Sequence, residues 1–238
     1  MSDISICSDK KYSIREANTI IQNIFEEYKK KCKNVHLHKE MQTIKNKLDW
    51  KKLKDEVIPI IKVAEYYNAD YVSFSMNNSS YDGIIYVGNQ QHYIECTTAV
   101  NYRKKDLIYQ ILDSEENDCV CIPYGYSIAD LQKSVGYISK NHKIKKQSET
   151  SFESGYLDFG EPIIDVYKRI LAKVKKATKD NCYQGFSLIL TIDSPEEPCN
   201  KDLIEDFWKN HIPDNPFRNL FVYETAGDFD DFRLFMEI

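Results

Sequence analysis

The segment 81–98, YDGIIYVGNQQHYIECTT, constrains the fold of this chain more than any other, because it predicts a β-hairpin. Its two runs, 84–87 and 92–97, are rich in Ile, Val, Tyr and Thr, which favour strands. The pair Gly88-Asn89 stands between the runs and is a turn signal. The sequence therefore predicts two antiparallel strands joined by a short loop.

Two carboxylates, Asp82 and Glu95, lie near the open end of the predicted hairpin, and the length of the loop decides whether they meet. An even number of loop residues places both on one face, directly opposite or diagonal at roughly 7–8 Å, within bridging distance of a metal. An odd number separates them. The even register also gives an apolar face with Ile85, Val87, Ile94 and Cys96, and an opposite face with Asp82, Tyr86, Tyr93, Glu95 and Thr97. This sorting favours the even register, and it puts His92 on the face away from the acids.

Helical periodicity precedes the hairpin in two segments. Ser13 and Glu16 form a capping box, after which apolar residues recur at helical spacing to about residue 31. A second helical region extends over about 39–68, and Pro59 should kink or restart it. Its last turns carry Glu65, shortly before a strand predicted at 71–76.

The segments after the hairpin alternate between helix and strand. A helix is predicted at 102–112, and it opens with Arg103, Lys104 and Lys105. Residues 119–160 are rich in Ser, Gly, Tyr and Lys and have weak periodicity, which indicates an insertion. The later elements are a helix at 161–179, a buried strand at 186–192, a short helix at 203–208 and strands at 220–223 and 232–236.

This alternation predicts an α/β fold in which helices flank a mixed β-sheet. Residues 1–62 are expected to form an N-terminal helical region packed on a core of 63–238, with the insertion at about 119–160. At 238 residues, of which 42% are hydrophobic, the chain is long enough to bury one substantial core.

Composition and motifs exclude several classes of protein. No apolar run approaches a membrane span, and the N-terminal residues lack a signal peptide, so a cytoplasmic location without a membrane partner is expected. The seven cysteines are scattered, odd in number and without a CxxC pair, which favours reduced thiols over disulfides or a zinc site. The GxSxG, GxxxxGK[ST], GxGxxG and HExxH motifs are absent, which argues against the common hydrolases, nucleotide-binding proteins and zinc proteases.

Charge is distributed unevenly along the chain. Residues 193–238 contain twelve acidic and four basic residues, whereas the rest contains 25 acidic and 28 basic ones. A weakly basic body is compatible with nucleic-acid binding. A protein with strong affinity for phosphate normally has a clearer basic footprint, so the charge pattern alone does not require such a partner.

The predicted hairpin begins with the motif Asp82-Gly83, its second strand ends in Ile94-Glu95-Cys96-Thr97, and a predicted helix follows. This order of motifs and elements resembles the core of the restriction endonuclease-like superfamily, the PD-(D/E)xK nucleases. The resemblance covers about 63–113 and, more loosely, 162–192. It implies that Asp82 and Glu95 ligate Mg²⁺ or Mn²⁺ and that Cys96 adds its backbone carbonyl as a ligand.

The resemblance also concerns residues around this pair. Thr97 stands where the family has a lysine that orients or activates the attacking water, and a hydroxyl supplies neither positive charge nor a base near neutral pH. An additional acid often faces the metal from the preceding helix in this family, which points to Glu65; a solvent-facing glutamate on that helix is the alternative. The missing cation is expected from Arg103, Lys104 and Lys105, as phosphate contacts or a relocated lysine; a solvated charge run is the alternative.

Two functions are consistent with these features. The first is a divalent-metal-dependent nuclease that hydrolyses phosphodiesters in DNA or RNA. The second is a non-catalytic binding protein that keeps the nuclease-like scaffold for protein or nucleic-acid partners. The paired carboxylates favour the first, and Thr97 favours the second. Tyr86 and Tyr93 share the face of the acids, where they would stack on bases or serve a structural role.

Overall fold

The computed structural model of the protein describes residues 6–8, 10–33, 43–44, 50–75, 80–99, 163–180, 183–193, 201–212, 214–225 and 232–238. The helix predicted at 102–112, with Arg103, Lys104 and Lys105, and the insertion predicted at 119–160 lie outside these residues. Over the described ranges, no helix combines the length and the apolar character needed to cross a membrane.

Strands and helices alternate along the described chain. The strands are β1 (Tyr12–Ser13), β2 (Tyr71–Phe74), β3 (Gly83–Val87), β4 (Gln90–Thr98), β5 (Ser187–Asp193), β6 (Asn219–Thr225) and β7 (Phe232–Glu237). The helices named below are α1 (Ile14–Cys32), α2 (Trp50–Lys52), α3 (Ile58–Tyr66), α4 (Ile163–Asp180) and α5 (Lys201–Asn210), and a π-helical turn, Leu53–Val57, joins α2 to α3.

The strands form one sheet in sequence order, β1-β2-β3-β4-β5-β6-β7. Pairing is antiparallel from β1 to β4 and again between β6 and β7, whereas β4–β5 and β5–β6 are parallel. Parallel neighbours need a crossover connection, and α4 and α5 lie in these two connections. The prediction of an α/β fold with a mixed sheet is therefore confirmed.

Helices cover both faces of this sheet. The first face, which bears Ile85, Ile94 and Cys96, packs against α1, α2 and α3 in one hydrophobic cluster. The second face bears Leu188 and Leu190 and packs against α4 and α5. Residues of α1 therefore share one core with the sheet.

Helix α1 begins where its capping box predicts. The Glu16 backbone N–H donates to Ser13 Oγ at 3.2 Å, which satisfies one of the open donors of the first turn. The helix then buries one stripe against the first face of the sheet, formed by Ala17, Ile21 and Ile24.

The break predicted near Pro59 takes the form of a π-helical turn directly before it. Proline has no backbone N–H, and its ring crowds the carbonyl four residues earlier, here that of Asp55. The Ile58 N–H bonds to the Leu53 carbonyl five residues back, and α3 then restarts with Pro59 in its first turn. Asp55 and Glu56 therefore lie in a widened turn, where side chains project differently from those of a continuous α-helix.

The β3–β4 hairpin has the even register that the sequence predicts. Gly83 pairs with Ile94, and the pairing continues to a loop of two residues, Gly88-Asn89. Gly88 has a φ of 55°, a left-handed conformation that glycine adopts without strain. Its N–H donates to Asp70 Oδ2 at 2.8 Å, which anchors the turn.

Gly83 permits the close packing of α3 on β3. A Cβ at this position would lie 2.8 Å from Ile60 Cδ1 and 2.8 Å from the backbone oxygen of Ser73. The isoleucine tip can shift, but the strand backbone cannot do so cheaply. We therefore expect Gly83→Ala to lower the free energy of unfolding by about 1–3 kcal/mol in urea titrations. Gly88→Asn is the control, because nothing lies within 4 Å of a Cβ there and asparagine tolerates positive φ. Equal losses in both variants would contradict the close-packing explanation.

Candidate functional site

Asp82 and Glu95 lie side by side at the open end of the hairpin. Asp82 directly precedes β3, and its backbone is held from both sides, with its N–H bonded to the Ile94 carbonyl at 2.9 Å and its carbonyl bonded to the Ser75 N–H at 2.9 Å. Its carboxylate turns toward β4, where Oδ2 accepts from the Cys96 N–H at 2.7 Å. The Asp82 carboxylate is therefore fixed against the residue that follows Glu95.

Glu95 is a buried carboxylate with a lysine partner from the crossover helix. Its side chain is 7% exposed, and Oε1 lies 2.5 Å from Lys173 Nζ on α4. Burial raises the pKa of Glu95, and the nearby charge of Asp82 raises it further, whereas Lys173 and Lys176 lower it. The positive charge of Lys173 therefore offsets part of the free-energy cost of burying the Glu95 carboxylate near that of Asp82.

Glu56, in the π-helical turn, is a third acid of this group. Burial raises the pKa of Glu56 to about 7, and the charges of Asp82 and Asp55 contribute in the same direction. Lys52 opposes this rise, with Nζ 3.4 Å from Glu56 Oε2. The widened turn before Pro59 therefore carries an acid that is within electrostatic range of Asp82.

The charges of the three acids act on Cys96. Its thiol is buried, which raises its pKa well above the usual value, and the charges of Asp82, Glu56 and Glu95 raise it further while Lys173 opposes them. One buried position is therefore within electrostatic range of three carboxylates and one ammonium. These charged groups come from the loop before β3, the π-helical turn, β4 and α4.

The residues predicted from sequence fall into different places. Thr97 follows Glu95 by two positions on β4, so it shares the second face, and its side chain is half-buried. His92 lies on the first face and stacks on Tyr67, with ring centroids 5.6 Å apart, as a packed histidine does.

Glu65, predicted to face the metal, has other partners. Its Oε1 accepts from Asn18 Nδ2 at 2.7 Å, and its Oε2 pairs with Lys62 at 2.9 Å. Nine residues separate it from Glu56, which is about 13 Å along an α-helix. The helical acid on which the charge of Asp82 acts is Glu56, and the contact of Glu65 with Asn18 joins α3 to α1.

Lys173 and Glu56 are the members that sequence reasoning missed. The buried stripe of α4 consists of Val166, Ile170, Val174 and Ala177, and Lys173 lies three residues after the second of these and four before the last. A lysine at the border of an apolar stripe can reach the edge of the core, and this position in the sequence was the feature that could have identified Lys173. For Glu56 the signal was its place just before the Pro59 break.

The group has the donor chemistry of a site for Mg²⁺ or Mn²⁺ but is not arranged as one. Carboxylate oxygens are the ligands that these hard cations prefer. Glu56 Oε2 is buried, and its cationic partner within the protein is Lys52, with Nζ at 3.4 Å. In the described ranges, however, no three His, Cys, Asp or Glu side chains are grouped to hold an ion.

The raised pKa of Glu56 predicts a pH-dependent stability. Its ordinary value is 4.5 and its value in the folded protein is about 7, so the folded state holds the proton more tightly than the unfolded state. This stability is present below about 4.5 and is lost as the pH rises through about 7, by at most about 3 kcal/mol. We expect Glu56→Gln to remove this loss in urea titrations across the interval. Glu26→Gln, at a side chain 75% exposed, should retain it.

The site thus combines three carboxylates with two ammonium groups, Lys173 and Lys52. Carboxylates suit a divalent cation, and an ammonium suits a phosphate. Such a combination is suited to the chemistry of phosphate esters. No family model, curated protein sequence or solved structure matches this chain.

Proposed function

We propose that this chain is a divalent-metal-dependent nuclease of the restriction endonuclease-like type, in which Lys173 replaces the lysine that is missing at Thr97. The observation that carries the proposal is the fixed Asp82 carboxylate next to the Glu95–Lys173 pair at the open end of the hairpin, with the charge of Glu56 within electrostatic range of Asp82. Two of the acids are those that the motif resemblance names. The ammonium comes from the helix that crosses between the parallel strands.

Each residue would have a separate role. Asp82 and Glu95 would hold Mg²⁺ or Mn²⁺ together with the carbonyl of Cys96, and Glu56 would add a third carboxylate. When bound, such an ion polarises a phosphoryl oxygen and lowers the pKa of a water molecule. Glu95 would exchange its ammonium partner for the ion. Lys173 would then contact the phosphate, where a fixed positive charge stabilises the negative charge of the transition state.

The order of elements supports the same proposal. The helix α3 leads into the antiparallel strands β2, β3 and β4, and α4 then crosses to β5, which is parallel to β4. The sequence resemblance covers the hairpin and, more loosely, the helix and strand of 162–192.

A non-catalytic binding protein on the same scaffold is the second candidate. The Lys173–Glu95 pair satisfies the buried carboxylate without any metal. A binding protein that needs no metal would also explain why the described residues contain no group of three side chains arranged for an ion. In this case Lys173 would be a structural partner, and the protein would bind its target independently of metal.

A cleavage assay separates the two functions. End-labelled single-stranded and double-stranded DNA and RNA are incubated with Mn²⁺, with Mg²⁺ or with a chelator. We expect metal-dependent cleavage by the wild type and none by Asp82→Asn, whose side-chain amide oxygen can still accept from the Cys96 N–H. Equal cleavage by the two proteins would point to a contaminating nuclease. Metal-independent binding without cleavage of any substrate would favour the binding protein.

A further inference from the structure

An aromatic row lies on the second face of the sheet beside the carboxylates. Tyr93 precedes Glu95 by two residues on β4, about 7 Å along the strand on the same face. Its ring stacks on Phe186, with centroids 5.1 Å apart and an interplanar angle of 14°, and Tyr81 meets it edge-on at 5.4 Å. All three rings are half-buried, so each exposes part of its surface.

The row is rigid because the core holds it. Phe186 packs edge-on against Tyr183 at 5.5 Å, and the buried Tyr183 in turn packs against Phe217 at 5.9 Å. Rings that are already immobilised lose little conformational freedom when another flat ring stacks on them. The row is therefore preorganised for planar ligands.

A line of positive charge on α4 runs beside the same face. Arg169, Lys173 and Lys176 have spacings of four and three residues, so they lie on one side of the helix. Helix α4 leads back to the start of β5, and it therefore runs opposite to β5 and to the parallel strand β4. Lys176 accordingly lies near the aromatic end, with Nζ 5.9 Å from the centre of the Tyr183 ring.

The carboxylates occupy the middle of this line. Lys173 contacts Glu95, and the charge of Lys176 also acts on Glu95. Arg169 lies one helical turn beyond Lys173, on the side away from the rings. Arg169 and Lys176 are exposed and are about 10 Å apart along the helix axis.

We propose that the site takes single-stranded nucleic acid, with bases stacked on Tyr93 and its neighbours and phosphates on Arg169 and Lys176. This inference rests on the proposed function, because it names the substrate class of the same site. In a duplex the base faces are covered by neighbouring bases, whereas an unpaired strand presents them to aromatic side chains. The positive line beside the rings complements the phosphates of the same strand.

The first test measures binding in the presence of a chelator, where no cleavage occurs. Fluorescent oligo-dT and oligo-U are compared with duplexes of the same length by anisotropy. We expect Tyr93→Leu to weaken single-strand binding by about 5- to 150-fold and to change duplex binding little. Tyr93→Phe, which keeps the ring, should bind as the wild type does. Tyr66→Leu, at a tyrosine 52% exposed on α3, is the control for loss of any surface ring.

The second test concerns the charges. Lys176→Gln should reduce the slope of log affinity against log salt for single strands by about 0.7. Tyr81→Leu repeats the ring test at a residue outside the strands, in case Tyr93→Leu does not fold. Equal wild-type affinity for single and double strands, or equal binding by the leucine and phenylalanine variants, would overturn the inference.

The two proposals fail in distinguishable ways. Ring-dependent single-strand binding without cleavage of any substrate would overturn the nuclease and leave the single-strand site standing. Metal-dependent cleavage that prefers duplexes and is unaffected by Tyr93→Leu would support the nuclease and overturn the single-strand site. A preference for oligo-U over oligo-dT would assign the site to RNA, and the reverse would assign it to DNA.

Discussion

Lys173→Met should reduce Mn²⁺-dependent cleavage by about 10²–10³, because removal of one preorganised charge-stabilising group typically has an effect of that size. Methionine keeps an unbranched apolar stem along α4 and removes only the ammonium that contacts Glu95. The rate is measured under single-turnover conditions with saturating metal, so that weaker binding of the ion does not obscure the chemical step.

Lys175→Met is the matched control for Lys173→Met. Lys175 lies two residues further along α4, is exposed, and points to another side of the helix, so its loss should leave the rate within a few fold. An unchanged rate in Lys173→Met would show that the catalytic cation comes from elsewhere. Lys104→Ala and Lys105→Ala then test the source that the sequence predicts, and a loss of about 10²–10³ in either would restore that prediction.

The local features of the fold were accessible from the sequence because they depend on neighbours along the chain. The even loop of the hairpin follows from strand parity around Gly88-Asn89, and the structure has that loop. The start of α1 follows from the Ser13 capping box. The restart at Pro59 follows from the missing N–H of proline. In each case, a few adjacent residues determine the backbone.

Which residues belong to the site was harder to predict from the sequence, because it depends on which helices and strands pack together. The nearest basic residues to Glu95 in sequence are in the segment 103–105, yet the described contact comes from Lys173, 78 residues away. The parallel pairing of β4 with β5 brings α4 over the second face, and no local pattern specifies that pairing. The sequence names only Glu65 as the helical acid, whereas the structure gives an electrostatic effect of Asp82 on Glu56. The π-helical turn changes which side chains of the helical region face the hairpin, and no local pattern shows this.

Mn²⁺ should raise the melting temperature of the wild type by about 5–10 °C at a hundredfold excess over its dissociation constant. Binding to the folded state alone then contributes about 2.7 kcal/mol, and about 2–4 °C per kcal/mol is expected for a chain of this size. Glu95→Gln and Asp82→Asn should lose most of this shift.

Glu65→Gln is the control that separates this site from other acids of the helical region. Glu65 bonds to Asn18 and Lys62, so its variant should keep the full response to Mn²⁺ even if the loss of the Lys62 pair lowers its melting temperature slightly. Glu56→Gln should behave like Glu95→Gln if the π-helical turn contributes a ligand. Equal metal shifts in the wild type, Glu95→Gln and Asp82→Asn would remove these carboxylates as ligands. The Lys173–Glu95 pair would then have a purely structural role, and the non-catalytic scaffold would become the better explanation of the site.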